Sequence, residues 1–154
     1  MSKKKVLSII FSILAVIVVA GLGSLFVNLG MNWFNTLEKP NQWIPNFVIP
    51  IVWSVIYLTA AIILFFWIKD GVITKKVSVL FIVNGVLNVL WCLVFFTLKL
   101  TFLGNIVIIL NLIASILLFI EIFKYKKLYG YWLSIYPIWI SIATTLNLAL
   151  WILN

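Results

Sequence analysis

Apolar residues run along this chain in five long blocks, at about 6–27, 47–67, 77–98, 102–122 and 131–152, and polar residues collect in the gaps between them. Within a block the apolar positions follow neither the alternation of a half-buried strand nor the single stripe of a surface helix, so each block is oily on every face. About 20 such residues suffice to cross about 30 Å of hydrocarbon as a helix. At that depth the backbone must satisfy its own hydrogen bonds, and the roughly ten-residue alternating segments of a membrane barrel are missing. The pattern predicts an all-α integral membrane protein. It consists of one bundle of five transmembrane helices over residues 1–154, with a long outer loop at about 28–46 between helices one and two.

Composition sharpens this picture. Of 154 residues, 66% are hydrophobic and 9% charged, which leaves nothing from which to build a soluble domain. The net charge of +8 would point to nucleic acid in a soluble protein, but its placement points to topology. All the cations are Lys: Lys3, Lys4 and Lys5 precede helix one, Lys69, Lys75 and Lys76 join helices two and three, and Lys124, Lys126 and Lys127 join four and five. Only Lys39 and Lys99 fall on the other side. This bias predicts a cytoplasmic N-terminus, an outside C-terminus and no nucleic-acid partner, with attraction to anionic membrane lipid as a secondary effect. The first apolar run exceeds the 7 to 15 residues of a signal-peptide core and is read as a retained helix, most simply in the cell membrane. A lone Cys92 permits no internal disulfide.

The first loop carries Pro40 and Pro45, with Pro50 just beyond, and each proline fixes its own φ and restricts the residue before it. A stiff loop follows, with Trp33, Phe34, Trp43 and Phe47 as an apolar underside that can lie as a lid on the bundle. Trp67, Tyr125, Tyr129, Tyr131, Trp132 and Trp151 fall at the membrane interfaces, where such side chains commonly sit. Trp53, Trp91 and Trp139 lie too deep for that belt. Asn84 and Asn88 share one face of helix three with Trp91 nearly in line. Asn111 on helix four and Ser141, Thr144, Thr145 and Asn147 on helix five add polar groups at mid-depth or in the outer half. Each can serve as interhelical glue at about 0.6 kcal/mol. Indoles and amides converging beneath a stiff loop predict a cavity that opens outward.

The chain has no histidine and no arginine, and its acids are Glu38, Asp70 and Glu121, each near an interface. It offers no carboxylate pair, no activated nucleophile and no metal-ligand cluster, and it lacks the intramembrane charges that mark ion pathways. Buried candidates for a haem ligand reduce to Cys92 and Tyr57, which argues against tightly held iron. No cofactor is required. A cavity of rings and amides suits a flat, largely apolar molecule.

WFNTLEKP, followed by Pro45, Phe47 and VWSVIY, resembles the first-loop and second-helix signature of the TspO/MBR tryptophan-rich sensory proteins, whose mitochondrial members are the translocator proteins. NGVLNVLWCLVFF resembles that family's third helix and YPIWISIATTLNLALWILN its fifth. The resemblance covers nearly the whole chain. It implies a pocket for porphyrins such as protoporphyrin IX and for synthetic isoquinoline carboxamide or benzodiazepine-type ligands. Carried across, the pocket residues are Trp53, Asn84, Asn88, Trp139, Ala143 and Asn147, closed by Trp33, Phe34 and Pro45; Tyr57 and Trp91 join them from their depth and position. The chain departs from the family where a loop tryptophan falls on Gln42 and a proline on Ile44. Leu148 and Ile152 stand where animal members carry the Tyr and Arg of a sterol motif, so sterol binding is not expected.

Three functions follow as expectations. The first is a tetrapyrrole-binding sensory or regulatory protein, with light-dependent porphyrin degradation as a possible activity of Trp53 and Trp139. The second is a translocator of porphyrin or another lipophile. The third is a structural or partner-binding protein without a small ligand. The resemblance also implies a homodimer, for which Gly21, Gly23 and Ser24 or Gly85 permit close helix contact, although the same residues suit packing within one bundle.

Overall fold

A computed structural model describes residues 2–41 and 43–154; Gln42, where the loop departs from the family pattern, lies outside the described residues. Five helical spans are long and apolar enough to cross a membrane: Lys3–Phe34, Val48–Lys69, Lys75–Thr97, Thr101–Tyr125 and Lys127–Leu153. We label the helices α1 (Lys3–Phe34), α2 (Val48–Lys69), α3 (Lys75–Cys92), α4 (Thr101–Tyr125), α5 (Lys127–Leu133) and α6 (Ile135–Leu153). The last two share one span. Their break has a covalent cause, since Pro137 lacks the N–H that would bond Leu133 and its ring crowds that turn.

Helix α1 continues to Phe34, where the sequence pattern placed the loop from residue 28. No proline or glycine breaker stands between Met31 and Lys39, so Asn32 and Trp33 simply extend the helix, and the connection shortens to residues 35–47. At the lysine-rich end, the hydroxyls of Ser2 and Thr74 accept from the backbone N–H of Lys5 and Val77 and cap α1 and α3. Lys5 Nζ donates to the carbonyl of Lys69 at 3.0 Å, satisfying an orphan acceptor at the end of α2. Lys76 pairs with Glu121 at 2.7 Å and ties α3 to α4.

At the other end α3 widens into a π-helical turn, Leu93–Thr97, before the left-handed Lys99 (φ 60°) reverses the chain into α4. The turn presses on α1 so closely that a Cβ on Gly30 would stand 2.0 Å from the carbonyl oxygen of Phe96. Only glycine fits there. Thr97 fastens the same junction, its hydroxyl donating to the carbonyl of Phe26 at 2.9 Å. Helix α4 packs on both α3 and α6, α1 packs on α2 and α3, and α2 touches α6 only lightly. The core therefore lies along α3, α4 and α6, and α1 and α2 enclose a looser side.

Candidate functional site

At the loop end, α1, α2 and the end of α3 surround a cavity of about 490 Å³, within the range that holds a small organic ligand. Trp53 is its centre. Its ring stacks on Tyr57 at 5.7 Å and 27°, stacks on Trp91 at 6.3 Å and 29°, and meets Tyr136 edge-on at 6.4 Å. Offset aromatic contacts of this kind contribute about 0.5–1.5 kcal/mol each beyond burial. The π-helical turn re-aims Phe95 and Phe96 toward Trp91, with ring centroids 6.2 and 5.6 Å away, extending the aromatic wall up to Phe34.

The loop rests on that wall at its upper edge. Trp43 meets Phe34 at 5.8 Å and its indole N–H donates to Asn46 at 3.0 Å. Lys39 lies 5.0 Å over the Phe34 ring. Asn154, at the far end of α6, clasps the loop twice: its Oδ1 accepts from Glu38 N at 2.9 Å and its Nδ2 donates to Glu38 O at 3.0 Å. Phe47 departs from the expected underside. It is 68% exposed and points away from the bundle, because the turn that starts α2 places it outside, and Pro45 is exposed as well.

The remaining expected site residues divide. Phe34, Trp53, Tyr57 and Trp91 line the loop-end cavity, whereas Asn84 and Asn88 line a second cavity toward the lysine-rich end, with Tyr57 in both walls. Trp33 stands just outside, edge-on to Phe95 at 5.8 Å. Trp139 and Asn147 are buried in the α4–α6 core and Ala143 packs against it; none of the three lines either cavity. Ser141 and Thr145 are exposed, with hydroxyls bonded back to their own helix, so they are not interior glue.

The amides form a graded polar seam. Asn84 Nδ2 donates to the carbonyls of Leu80 (2.8 Å) and Ala114 (3.1 Å), Asn88 Nδ2 to the hydroxyl of Tyr57 (3.2 Å), and Asn147 Nδ2 to Asn105 Oδ1 (3.2 Å). Tyr136 donates its hydroxyl to Asn111 Oδ1 at 3.0 Å. The carbonyl oxygens of Asn84 and Asn88 and the N–H groups of Trp91, Asn105, Asn111 and Trp139 are covered without a partner among the described residues. Each costs about 1–3 kcal/mol if left so. Asn105, Ser115 and Tyr136 join the seam beyond the residues expected from the sequence. For Asn105 and Ser115 the signal is periodic: Asn105, Ile108, Asn111, Ser115, Leu118 and Ile122 recur on one buried face of α4.

At the opposite interface Lys126 donates to the hydroxyl of Tyr129 at 3.1 Å and sits 4.3 Å over its ring. That hydrogen bond holds the Lys126 ammonium above its ordinary pKa.

The sequence profile of the TspO/MBR family matches residues 11–152. The tryptophan-rich protein TspO of Archaeoglobus fulgidus is 32% identical over 151 residues, covering 97% of this chain and 98% of that protein. The protein CrtK of Rhodobacter capsulatus is 27% identical over 126 residues (79% and 78%), and the tryptophan-rich protein TspO of Chlorobaculum tepidum 27% over 155 residues (98% of each). Five membrane-length helices, a tryptophan-centred cavity under the first loop and a match along almost the entire length agree: the chain belongs to the TspO/MBR family.

Proposed function

We propose that this protein is a tetrapyrrole receptor of sensory or regulatory type, holding protoporphyrin IX in the loop-end cavity. One observation carries the reading: Trp53, stacked between Tyr57 and Trp91, offers an extended aromatic wall to a cavity of about 490 Å³ beneath the loop. A porphyrin presents a flat apolar face that such a wall stacks against. Lys39, at the loop beside Phe34, supplies a cation for a propionate. The lysine distribution supports an orientation with the N-terminus in the cytoplasm and this cavity outside. Isoquinoline carboxamides and benzodiazepines, smaller and flat, fit the same wall.

The test is a titration of detergent-solubilised protein with protoporphyrin IX in the dark, read by tryptophan quenching, for wild type and for a Trp53→Phe, Trp91→Phe pair. Saturable binding that weakens in the variant supports the receptor. Unsaturable quenching equal in both proteins refutes it. Illumination of the same samples then decides whether the bound porphyrin is degraded: loss of its absorbance faster in wild type than in a Trp53→Phe, Trp139→Phe variant identifies light-dependent chemistry.

A second reading, translocation of a lipophile, is favoured by one feature: two cavities, one in each half of the bundle, share Tyr57 as a common wall. Tyr57→Ala would remove the divider. Porphyrin flux into liposomes that rises in this variant supports a carrier, and flux equal to protein-free vesicles in both proteins removes it.

A further inference from the structure

The second cavity, about 340 Å³, occupies the lysine-rich half of the bundle and shares Tyr57 with the cavity assigned to porphyrin. Its walls are mostly aliphatic, including Val16 and Val19 of α1, Leu64 of α2 and Ile82 of α3. The back wall is deep: Ile56, Leu118, Leu133 and Tyr136, from α2, α4, α5 and α6, are each buried to 6% exposure or less. The front is open, since Ala15 on α1 and Ile82 and Val86 on α3 belong to the lining and face outward. Whatever occupies it arrives sideways from the membrane, between α1 and α3.

Length and charge narrow the occupant. From Ser78 to Asn88 the lining follows α3 for about 15 Å at 1.5 Å per residue. That is about half of the 30 Å hydrocarbon core, the depth of one leaflet. The shallow end is basic. Lys5 Nζ lies 3.3 Å from the point where a Cβ on Gly71 would stand, two residues from Ile73 in the lining, and Thr74, Lys75 and Lys76 follow directly. Lys3, Lys4 and Lys75 are exposed and make no ion pair among the described residues. Asp70 is the acid at this connection, and Glu121 is engaged by Lys76 and Lys124.

We propose that this cavity is a lipid site: it seats one acyl chain of an anionic phospholipid from the leaflet at the lysine-rich end, with the headgroup among Lys3, Lys4 and Lys75 and the chain's end near Tyr57 and Asn88. The occupant threads into the bundle, which separates it from lipid lying along the outer faces of the helices. The site is independent of the porphyrin reading.

The experiment is native mass spectrometry of the full chain titrated with phosphatidylglycerol or with phosphatidylcholine of the same acyl chains. Two variants block the cavity: Ala60→Phe from its wall, and Val16→Trp from the membrane side of α1, where little packing is disturbed. Wild type should retain one phosphatidylglycerol saturably and prefer it over phosphatidylcholine. Each variant should weaken that binding about tenfold, the loss expected when two or so methylenes lose their burial. Lys3→Gln, Lys4→Gln and Lys75→Gln together should abolish the headgroup preference. Retention of phosphatidylglycerol undiminished by both blocking variants would place the lipid on the lysine surface and overturn the site. Equal retention of both lipids in wild type would overturn the anionic occupant. Dark porphyrin titration of the same variants keeps the two sites apart, because neither Ala60 nor Val16 lines the loop-end cavity.

Discussion

The two cavities share Tyr57 and little else. At the loop end the wall is aromatic, carried by Phe34, Trp53, Trp91 and Phe96, and its shape depends on a backbone device, the π-helical turn braced against Gly30. At the lysine-rich end the wall is aliphatic, built on regular helix, and its walls part toward lipid between α1 and α3. Rings make a flat and stiff surface that selects a flat molecule. Branched aliphatic side chains make a yielding surface that suits a flexible chain. One bundle thus presents two kinds of wall, set by residue type and by whether the backbone leaves α-helical geometry.

The contrast breaks most sharply at Gly30. Replacing it with leucine forces a side chain into the Phe96 carbonyl, and because the Cβ is fixed by the backbone and meets only backbone atoms of Phe96, no rotamer change relieves the strain. Overpacking of this order costs about 3 kcal/mol or more. The expected result for Gly30→Leu is a lower melting temperature in detergent and complete loss of porphyrin quenching. Phosphatidylglycerol retention by the fraction still folded should persist. Loss of both together would show that the cavities are one cooperative unit.

Trp53→Ala comes next. It removes the ring that touches Tyr57, Trp91 and Tyr136, and a lost stacking platform costs about 1–3 kcal/mol, or roughly 5- to 150-fold in porphyrin affinity. Trp139→Ala should weaken stability more than binding, since Trp139 is buried and lies outside the cavity lining. An affinity loss for Trp139→Ala as large as for Trp53→Ala would mean that the loop-end cavity reaches α6 when a ligand is bound.

A smaller effect tests the divider. Asn88 positions the Tyr57 hydroxyl, and membrane hydrogen bonds of this kind average about 0.6 kcal/mol. Asn88→Leu and Tyr57→Phe, measured singly and together, should give a coupling of that size in thermal stability. A coupling in porphyrin affinity as well would show that the seam communicates with the loop-end cavity; its absence would confine Asn88 to the lipid side.

The contrast was only half legible in the sequence. Five unbroken apolar blocks compel five helices, and the depth of Trp53 and Trp91 marks the aromatic wall directly. Helical spacing gives the asparagines a shared face but not the depth at which it opens: Asn84 and Asn88 are in line with Trp91, yet seven and three residues along α3 place them on the wall of the other cavity. Trp139 and Asn147 are singled out by depth and Ala143 by resemblance, whereas in the structure Trp139 and Asn147 are buried outside the cavity lining and Asn147 bonds Asn105 of α4. The π-helical turn leaves no mark in LVFFT, and the end of α1 hides because nothing in NLGMNWF breaks a helix before Phe34.

The smallest effect concerns the lid. Asn154 holds Glu38 by two hydrogen bonds from the far end of α6, so the loop is fastened to a helix that contributes nothing to the loop-end cavity wall. These bonds are exposed to water, which competes for the same groups, so each falls below the net of about 0.5–1.5 kcal/mol typical of an intramolecular hydrogen bond. Asn154→Ala should leave the melting temperature nearly unchanged, because the aromatic contacts of Phe34 with Trp43 and Phe96 remain. Hydrogen exchange should accelerate several-fold in residues 35–41 while residues 48–60 of α2 keep their protection. Porphyrin should then bind and leave faster with little change in affinity, since a looser lid lowers the barrier for passage in both directions. Slower exchange of porphyrin, or unaltered protection of the loop, would show that the aromatic wall alone holds the lid and that the clasp at Asn154 only orders the end of α6.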